Sequence, residues 1–491
     1  MKINQLLITV FVGAQFAVAA FAADDTATNS TEAVEIETLK QEIQKLARKV
    51  SDLENQHQTA QQTAVGADNG QITDLDQKVR ILERQRELDQ EATASAAKST
   101  PKIVLGPNGF GFSSADSNFV ATLHGLIQLD SRTFPADGGI KGNDGFLLRR
   151  ARPIFTGTVF HDFDFNFTPD FGGSSVQIQD AFLNYRLFSE LQLEGGKFKS
   201  PVGLEQLQSD AVTSFNERSI ANDLMPNRDL GVELHGDLFS GALSYAFGIF
   251  DGSPDYNGTT TNADYDDNKA IAGRIFAQPF KNSEISPLKG LGFGVGGSWE
   301  VDRAATNTLS GLTPGYTTDG QQKFFSYASG VFANGPHWRL SPQAYYYWGP
   351  VGLLAEYVIS EQRVTKGTAS RDLQNTAWEV SAGWILTGED ASYNGFTPKH
   401  PFDFRKNQWG AWQLVARYAT LDVDKAAFPT FASLSTSASA AHAWSFGVNW
   451  YLNKNVRVNT SFSHTQFDDG KSGAVTKQPE NALFTRLQLA F

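Results

Sequence analysis

The final stretch of the chain, Ala482-Leu-Phe-Thr-Arg-Leu-Gln-Leu-Ala-Phe491, alternates between apolar and polar side chains. Leu483, Leu487, Leu489 and Phe491 share one parity, and Arg486 and Gln488 hold the other. Residues two apart on a β-strand share a face, so this segment has one apolar side and one polar side. The edge of a soluble sandwich shows the same alternation, but soluble chains rarely finish flush on such a strand.

A strand that ends with the chain on Phe491 fits the closing strand of a bacterial outer-membrane barrel, with its leucines on lipid and Arg486 toward water. Other segments repeat the pattern. Phe163, Phe165 and Phe167 alternate with Asp162, Asp164 and Asn166, and Leu243, Tyr245, Phe247 and Ile249 with Ser244, Ala246 and Gly248. Trp444, Phe446, Val448, Trp450 and Leu452 alternate with Ser445, Gly447, Asn449 and Tyr451, and Val456, Val458 and Phe462 with Arg457, Asn459, Ser461 and Ser463. Several runs have about the 9–11 residues that a tilted transmembrane strand needs. Dividing residues 102–491 by sixteen allows about 24 per strand with its connection, which suits a 16-stranded barrel wide enough for water; the division also admits eighteen. The fold class is therefore all-β, a transmembrane antiparallel β-barrel of about 16 strands over 101–491. Longer polar stretches, Asp251–Asp267, Asp302–Gln322 and Glu389–Lys406, read as extracellular loops.

The other end reads differently. Met1-Lys2, an apolar run from Leu6 to Phe21 and Ala20-Phe-Ala22 make residues 1–22 a secretory signal peptide. The run is short for a membrane anchor and is interrupted by Gly13 and Gln15. Residues 23–100 are polar and almost free of glycine. Ile36, Leu39, Ile43, Leu46, Val50 and Leu53 recur at steps of three and four, a heptad seam that predicts a short helical coiled coil. A weaker patch, Ile72, Leu75, Val79 and Leu82, follows an expected break at Gly66–Gly70. A lone amphipathic helix or a loose tether is the plainer alternative.

Composition removes several function classes. Without Lys2 the chain carries 40 Lys and Arg against 53 Asp and Glu, a net of −13, which argues against nucleic acid as a partner. There is no cysteine, so disulfides, thiol catalysis and thiolate-bound metals are excluded. With 37 Phe, 13 Tyr, 9 Trp and 44 Gly, the chain is rich in the residues of aromatic girdles and tight turns. The eight His show no metal-binding spacing, and no hydrolase elbow or P-loop is present, so neither an enzyme nor a cofactor is expected.

The basic residues stand out by position. Arg186, Arg274, Arg417, Arg457 and Arg486 fall on the polar parity of their strands, and Arg149, Arg150 and Arg152 crowd into four residues. Guanidinium groups match phosphate and carboxylate oxygens and keep their charge, so a series along a pore offers an anion successive partners. The plainer alternative is that these arginines pair with acids of the pore wall. Lys197 and Lys199 precede Pro201 and Gly203, which end a strand, and the polar stretch beyond is suited to fold into the barrel and narrow it.

From about Ile103 to Phe491 the sequence resembles the phosphate-selective porin O and P family. The stretches that carry the resemblance are Gly109–Asp116, Gly125–Asp130, Arg149-Arg-Ala151, Gly196-Lys-Phe-Lys-Ser-Pro-Val-Gly-Leu-Glu205, Glu217-Arg218, Leu386–Glu389, Gly410–Tyr418 and Gly447–Leu452. The resemblance implies a homotrimer of 16-stranded barrels, each with an arginine ladder and a lysine-bearing constriction loop. Arg149 and Arg150 match the paired ladder arginines, and Arg218 the arginine that ends the constriction segment. Two positions depart from the pattern. Leu126 stands where phosphate-specific members carry a pore arginine, and Gln206–Asn216 contains no lysine, with Asp210 and Ala211 in its expected region.

These features together predict an outer-membrane channel for small anions such as phosphate. A general or sugar-type pore is the alternative: Tyr345-Tyr-Tyr-Trp348 would stack sugars if several lined the lumen, although alternation is expected to split them between rim and lipid. A third reading makes the N-terminal coil a tether to the cell wall or another periplasmic partner.

Overall fold

The computed structural model describes residues 41–56, 69–107, 109–135, 142–173, 175–255, 266–303, 312–472, 475–476 and 478–491. The expected signal segment 1–22, and Ile36 and Leu39 of the expected seam, lie outside them. The chain divides into two compact units, Met1–Ser95 and Ala96–Phe491.

The described residues of the first unit, 41–56 and 69–95, are helical. Helix α1 covers 41–56, and α2 runs Asn69–Ser99, crossing the boundary between the units. Lys78–Asp74 (2.9 Å) and Arg80–Asp76 (3.1 Å), each one turn apart, add modest support to α2. Ile43, Leu46, Val50 and Leu53 on α1, and Leu75, Val79 and Leu82 on α2, are all exposed in the single chain. Asn69 and Gly70, expected to lie in a break, are helical. Glycine costs little there, since first-turn N–H groups have no intrahelical partner. No described helix is long and apolar enough to cross a membrane.

The second unit is a closed antiparallel barrel. A hairpin of β1 (Lys102–Gly106) and β2 (Gly109–Ser113) precedes it. The first barrel strands are β3 (Val120–Thr133), β4 (Gly145–Val159), β5 (Phe163–Asp170), β6 (Gln177–Phe188), β7 (Leu191–Lys199) and β8 (Arg228–Leu238). Next come β9 (Leu243–Phe250), β10 (Ala270–Ala277), β11 (Leu291–Arg303), β12 (Phe332–Trp348) and β13 (Val351–Lys366). The ring ends with β14 (Ala369–Ile385), β15 (Ala411–Asp422), β16 (Ala440–Tyr451), β17 (Val456–Asp468) and β18 (Glu480–Ala490). Each strand pairs with the next, and β18 returns to β3 from Leu483↔Thr133 to Ala490↔Leu126, so the ring has sixteen strands. Closure leaves no edge and satisfies the backbone inside lipid.

The seam is finished at its end. Gly125 and Phe491 exchange two backbone bonds of 2.9 and 3.0 Å, and β2 then pairs with the start of β3, continuing the row that β18 leaves. The Phe491 ring lies over Gly125, where a Cβ would come within 2.6 Å of it, and meets Phe110 edge-on. Asn455 fastens both pieces, its Nδ2 donating to Pro107 and Ala490 carbonyls at 2.7 Å each.

Burial is inverted relative to a soluble protein. On β18, Leu487 is 50% exposed while Arg486 is 1% exposed. Ile127, Leu193, Val232, Phe247, Trp384 and Phe446 face out, and Gln128, Glu233, Gln343, Glu379 and Asn459 face in. An apolar outside around a polar inside is the pattern of a barrel in lipid.

Connections at one rim, such as 160–162, 189–190, 239–242 and 349–350, are short. From the opposite rim, segment 200–227 enters the lumen, and segment 312–331 follows it. Ile220, Leu224 and Met225 of the first join Tyr316, Phe324 and Phe325 of the second in a buried apolar cluster. A third segment, 386–410, joins β14 to β15 at the rim of the short turns, so the expectation that Glu389–Lys406 is an extracellular loop is corrected. Polarity marks a segment as facing water at either rim; only the strand count tells which.

Candidate functional site

A β-bulge builds the arginine cluster. In the β3–β4 ladder Gln128 pairs with Arg150 and Leu129 with Leu148, leaving Arg149 as an extra residue. Leu148 points to lipid and Ala151 lies opposite lipid-facing Ile127, so the bulge turns both Arg149 and Arg150 inward. Strict alternation would have sent one of them into lipid. With Arg152, three guanidinium groups from four residues reach the lumen.

Segment 200–227 closes against them. Glu217 accepts from Arg149 Nε and Nη2 (2.7 and 3.0 Å) and from Arg132 Nη2 (2.7 Å). Arg486 makes a two-pronged contact with Asp130 at 2.6 and 2.7 Å, and its Nη2 lies 3.7 Å from Glu217. Asp210 pairs with Arg218 (2.6 Å), Arg150 (3.3 Å) and Arg152, and Arg152 also meets Asp170 (2.6 Å). Burial alone would raise the Asp210 and Glu217 carboxyls. The arginines outweigh it and hold both below the usual carboxylate range: Arg150, Arg218 and Arg152 at Asp210, Arg149 and Arg132 at Glu217.

Wall amides fix the loop backbone. Gln128 Nε2 donates to Asp210 O (3.0 Å), Gln488 Nε2 to Ala211 O (2.9 Å), and Asn449 Nδ2 to Ser214 O (2.9 Å). At the start of the segment Glu356 receives the N–H groups of Leu204 and Glu205 (2.7 and 3.1 Å). Lys199 Nζ donates to Gln208 O at 2.8 Å, so a lysine does meet the constriction, from the strand before it. Leu126 is 3% exposed and sits opposite Arg152 in the ladder, closing space where the family pattern puts charge.

The other singled-out residues spread around the ring. Arg417 reaches Glu205 (3.2 Å), Asp319 (2.9 Å) and the Phe215 ring (4.4 Å), joining both inserted segments. Arg274 donates to Gln343 (2.8 Å) over Phe276, and Arg457 donates to Gln488 (3.0 Å); neither has a carboxylate within ion-pair distance among the described residues. Arg186 is at the short-turn rim, 3.5 Å from Asp164, and Lys197 is buried between Ala181 and Leu230 of the flanking strands. Sequence reasoning missed Arg132 and Arg339. The parity of Gln128, Asp130 and Arg132 was signal enough for the first, and that of His337, Arg339 and Gln343 for the second. Arg339 pairs with Asp255 (2.7 Å) and Glu300 (3.3 Å). Glu300, Asp302 and His337 are metal-ligand types close together, and the Arg339 guanidinium already holds Glu300.

The aromatic run also needs correcting. Tyr345 and Tyr347 share the parity of Arg339 and Gln343 and face the lumen rather than rim or lipid. Tyr345 stacks on Tyr393 of the turn-side segment (5.3 Å) and leans on Phe276 (4.9 Å). Tyr393 Oη donates to Leu204 O, and Gln208 Nε2 donates to Tyr393 O, both at 2.7 Å. The turn-side segment therefore touches the constriction loop from below.

A family model described as phosphate-selective porin O and P matches residues 121–491. Porin O of Pseudomonas aeruginosa is 24% identical, with 76% of this chain and 91% of that one aligned. Among solved structures, the outer membrane channel DcaP of Acinetobacter baumannii aligns with a TM-score of 0.49 at 11% identity, over 78% of this chain and 99% of that one. The anion-selective porin from Comamonas acidovorans aligns with a TM-score of 0.46 at 13% identity, over 76% and 100%. With the match running from β3 to the end of the closed barrel, this chain belongs to the phosphate-selective porin O and P family of outer-membrane channels.

Proposed function

We propose that this porin passes small anions, phosphate among them, by diffusion past the constriction of 200–227, with Arg149, Arg150, Arg152 and Arg218 as the groups an anion meets. The observation that carries this is a charge count. Among the described residues, Arg132, Arg149, Arg150, Arg152, Arg218 and Arg486 share Asp130, Asp170, Asp210 and Glu217, an excess of two positive charges. Nε of Arg132 and Nη1 of Arg486 are buried without a hydrogen-bond acceptor, as is Nε of Arg457 further along the wall. A hydrated anion supplies acceptors to such donors, and successive partners let it leave again. The test is ion selectivity in planar bilayers for wild type and Arg149→Ala/Arg150→Ala. An unchanged reversal potential in the variant would remove these residues from the selectivity.

A second reading rests on Tyr345, Tyr347, Tyr393 and Phe276, whose lumenal rings offer stacking faces to a sugar. Liposome swelling with sugars against neutral solutes of equal size separates it from plain diffusion. We further propose a homotrimer, as the family resemblance implies. Helices α1 and α2, with their exposed apolar residues, would serve as a periplasmic coiled coil or cell-wall tether. Deleting residues 31–100 should spare conductance and weaken the envelope; loss of conductance alone would refute a purely mechanical role.

A further inference from the structure

The wall that the constriction loop leaves open carries the opposite charge. Glu194 of β7 stands directly across the ladder from Glu233 of β8, with Asn184 and Gly248 completing the row. The ion pairs of this wall run elsewhere, Arg228 to Asp180 (2.8 Å) and Arg186 to Asp164 (3.5 Å). Among the described residues no cationic side chain is within ion-pair distance of either glutamate. Glu233 is 8% exposed, and its Oε2 accepts no hydrogen bond. Like charges directly opposite on a sheet repel, and a buried carboxylate oxygen without a partner is costly. Both facts mark a place where a positive group is missing.

The surroundings narrow what that group belongs to. Glu194, Glu233 and Arg274 line a cavity of about 360 Å³ between the constriction loop and the wall; Lys199 lines it too but donates to the Leu207 and Gln208 carbonyls, and Asp180 there is taken by Arg228. Arg274 is held by Gln343 and lies over Phe276 at 4.4 Å, without a carboxylate partner among the described residues. One cavity thus offers a carboxylate pair short of a cation and a guanidinium short of an anion. An inorganic cation would satisfy only the first.

We propose that this cavity is a station for small zwitterionic solutes, the Glu194–Glu233 pair receiving the ammonium group and Arg274 the acidic group. It rests on the channel reading only in that solute must reach the lumen, and chloride current reports that separately. The test uses the full chain in liposomes and bilayers, with L-serine as the zwitterion and glycerol as a neutral solute of similar size. Wild type should admit serine faster than glycerol. E194Q/E233Q should lower the serine-to-glycerol ratio by about threefold, the worth of one solvated ion pair. Chloride current should be kept, because neither glutamate is within ion-pair distance of the constriction arginines. R274Q should lower the serine ratio as well. Equal changes for serine and glycerol, or an unchanged ratio, would overturn the proposal. So would magnesium block of wild type alone with no change in the serine ratio, which would make the pair an inorganic-cation site. Loss of chloride current from the wild type would strike the channel reading instead.

Discussion

The two sides of the lumen handle charge in opposite ways. On the β3–β4–β18 side arginines outnumber acids, and the constriction loop brings Asp210 and Glu217 to them, so each arginine touches a shared carboxylate. On the β7–β8 side Glu194 and Glu233 face each other with no cation within ion-pair distance among the described residues. The first side spends its acids on holding a loop in place. The second leaves its acids to the solute. An arginine count from sequence overstates the positive field of the pore, because most of those charges anchor the constriction.

The comparison can be broken most forcefully at Asp210. Asp210→Ala leaves Arg150, Arg152 and Arg218 without their shared carboxylate, and stranding buried charges costs about 3–5 kcal/mol. A lower thermal midpoint and a larger conductance from the released loop are expected; an unchanged midpoint would show that the pairs do not anchor it. Next in size, Arg149→Ala/Arg150→Ala should lower anion over cation permeability by roughly an order of magnitude at low salt and less at high salt. A nearby unit charge is worth about 1–2 kcal/mol before screening. Tyr393→Ala should have a smaller effect, removing the prop under Leu204 and Gln208 and raising conductance without altering ion preference. A changed preference would place the turn-side segment in the selectivity rather than the width.

The smallest effect expected is that of mild acid. Asp210 and Glu217 have folded-state values held below their ordinary ones. A depressed carboxyl contributes stability above its unfolded pKa and loses it as pH falls through the folded value. Conductance and thermal midpoint should therefore hold from neutral pH down to the ordinary carboxylate range, and change only below it. Loop release between pH 7 and 5 would contradict the pairing described for this side.

The barrel was legible because alternation is strict where lipid demands it. Arg486 and Leu487 took opposite faces as their parity required, and the expected sixteen strands are the sixteen found. The constriction was legible as a polar stretch after Pro201 that breaks strand alternation. What stayed hidden depends on geometry that a linear pattern does not carry. Arg149 faces inward only because a bulge inserts one residue into β4. Glu389–Lys406 is as polar as a true outer loop, and its rim follows from counting every strand before it. Tyr345 and Tyr347 belong to the lumen by register with Gln343, which the run of aromatics conceals. Pairing between Asp210 and arginines some sixty residues earlier is long-range, and net charge of −12 says nothing of where the acids go.

The central claim is that the channel prefers anions at an arginine-rich constriction. The reversal potential of the purified protein under a potassium chloride gradient, measured with and without phosphate, tests it most directly. Chloride preference with a current reduced by phosphate is the predicted result. Potassium preference with no phosphate block would contradict the account.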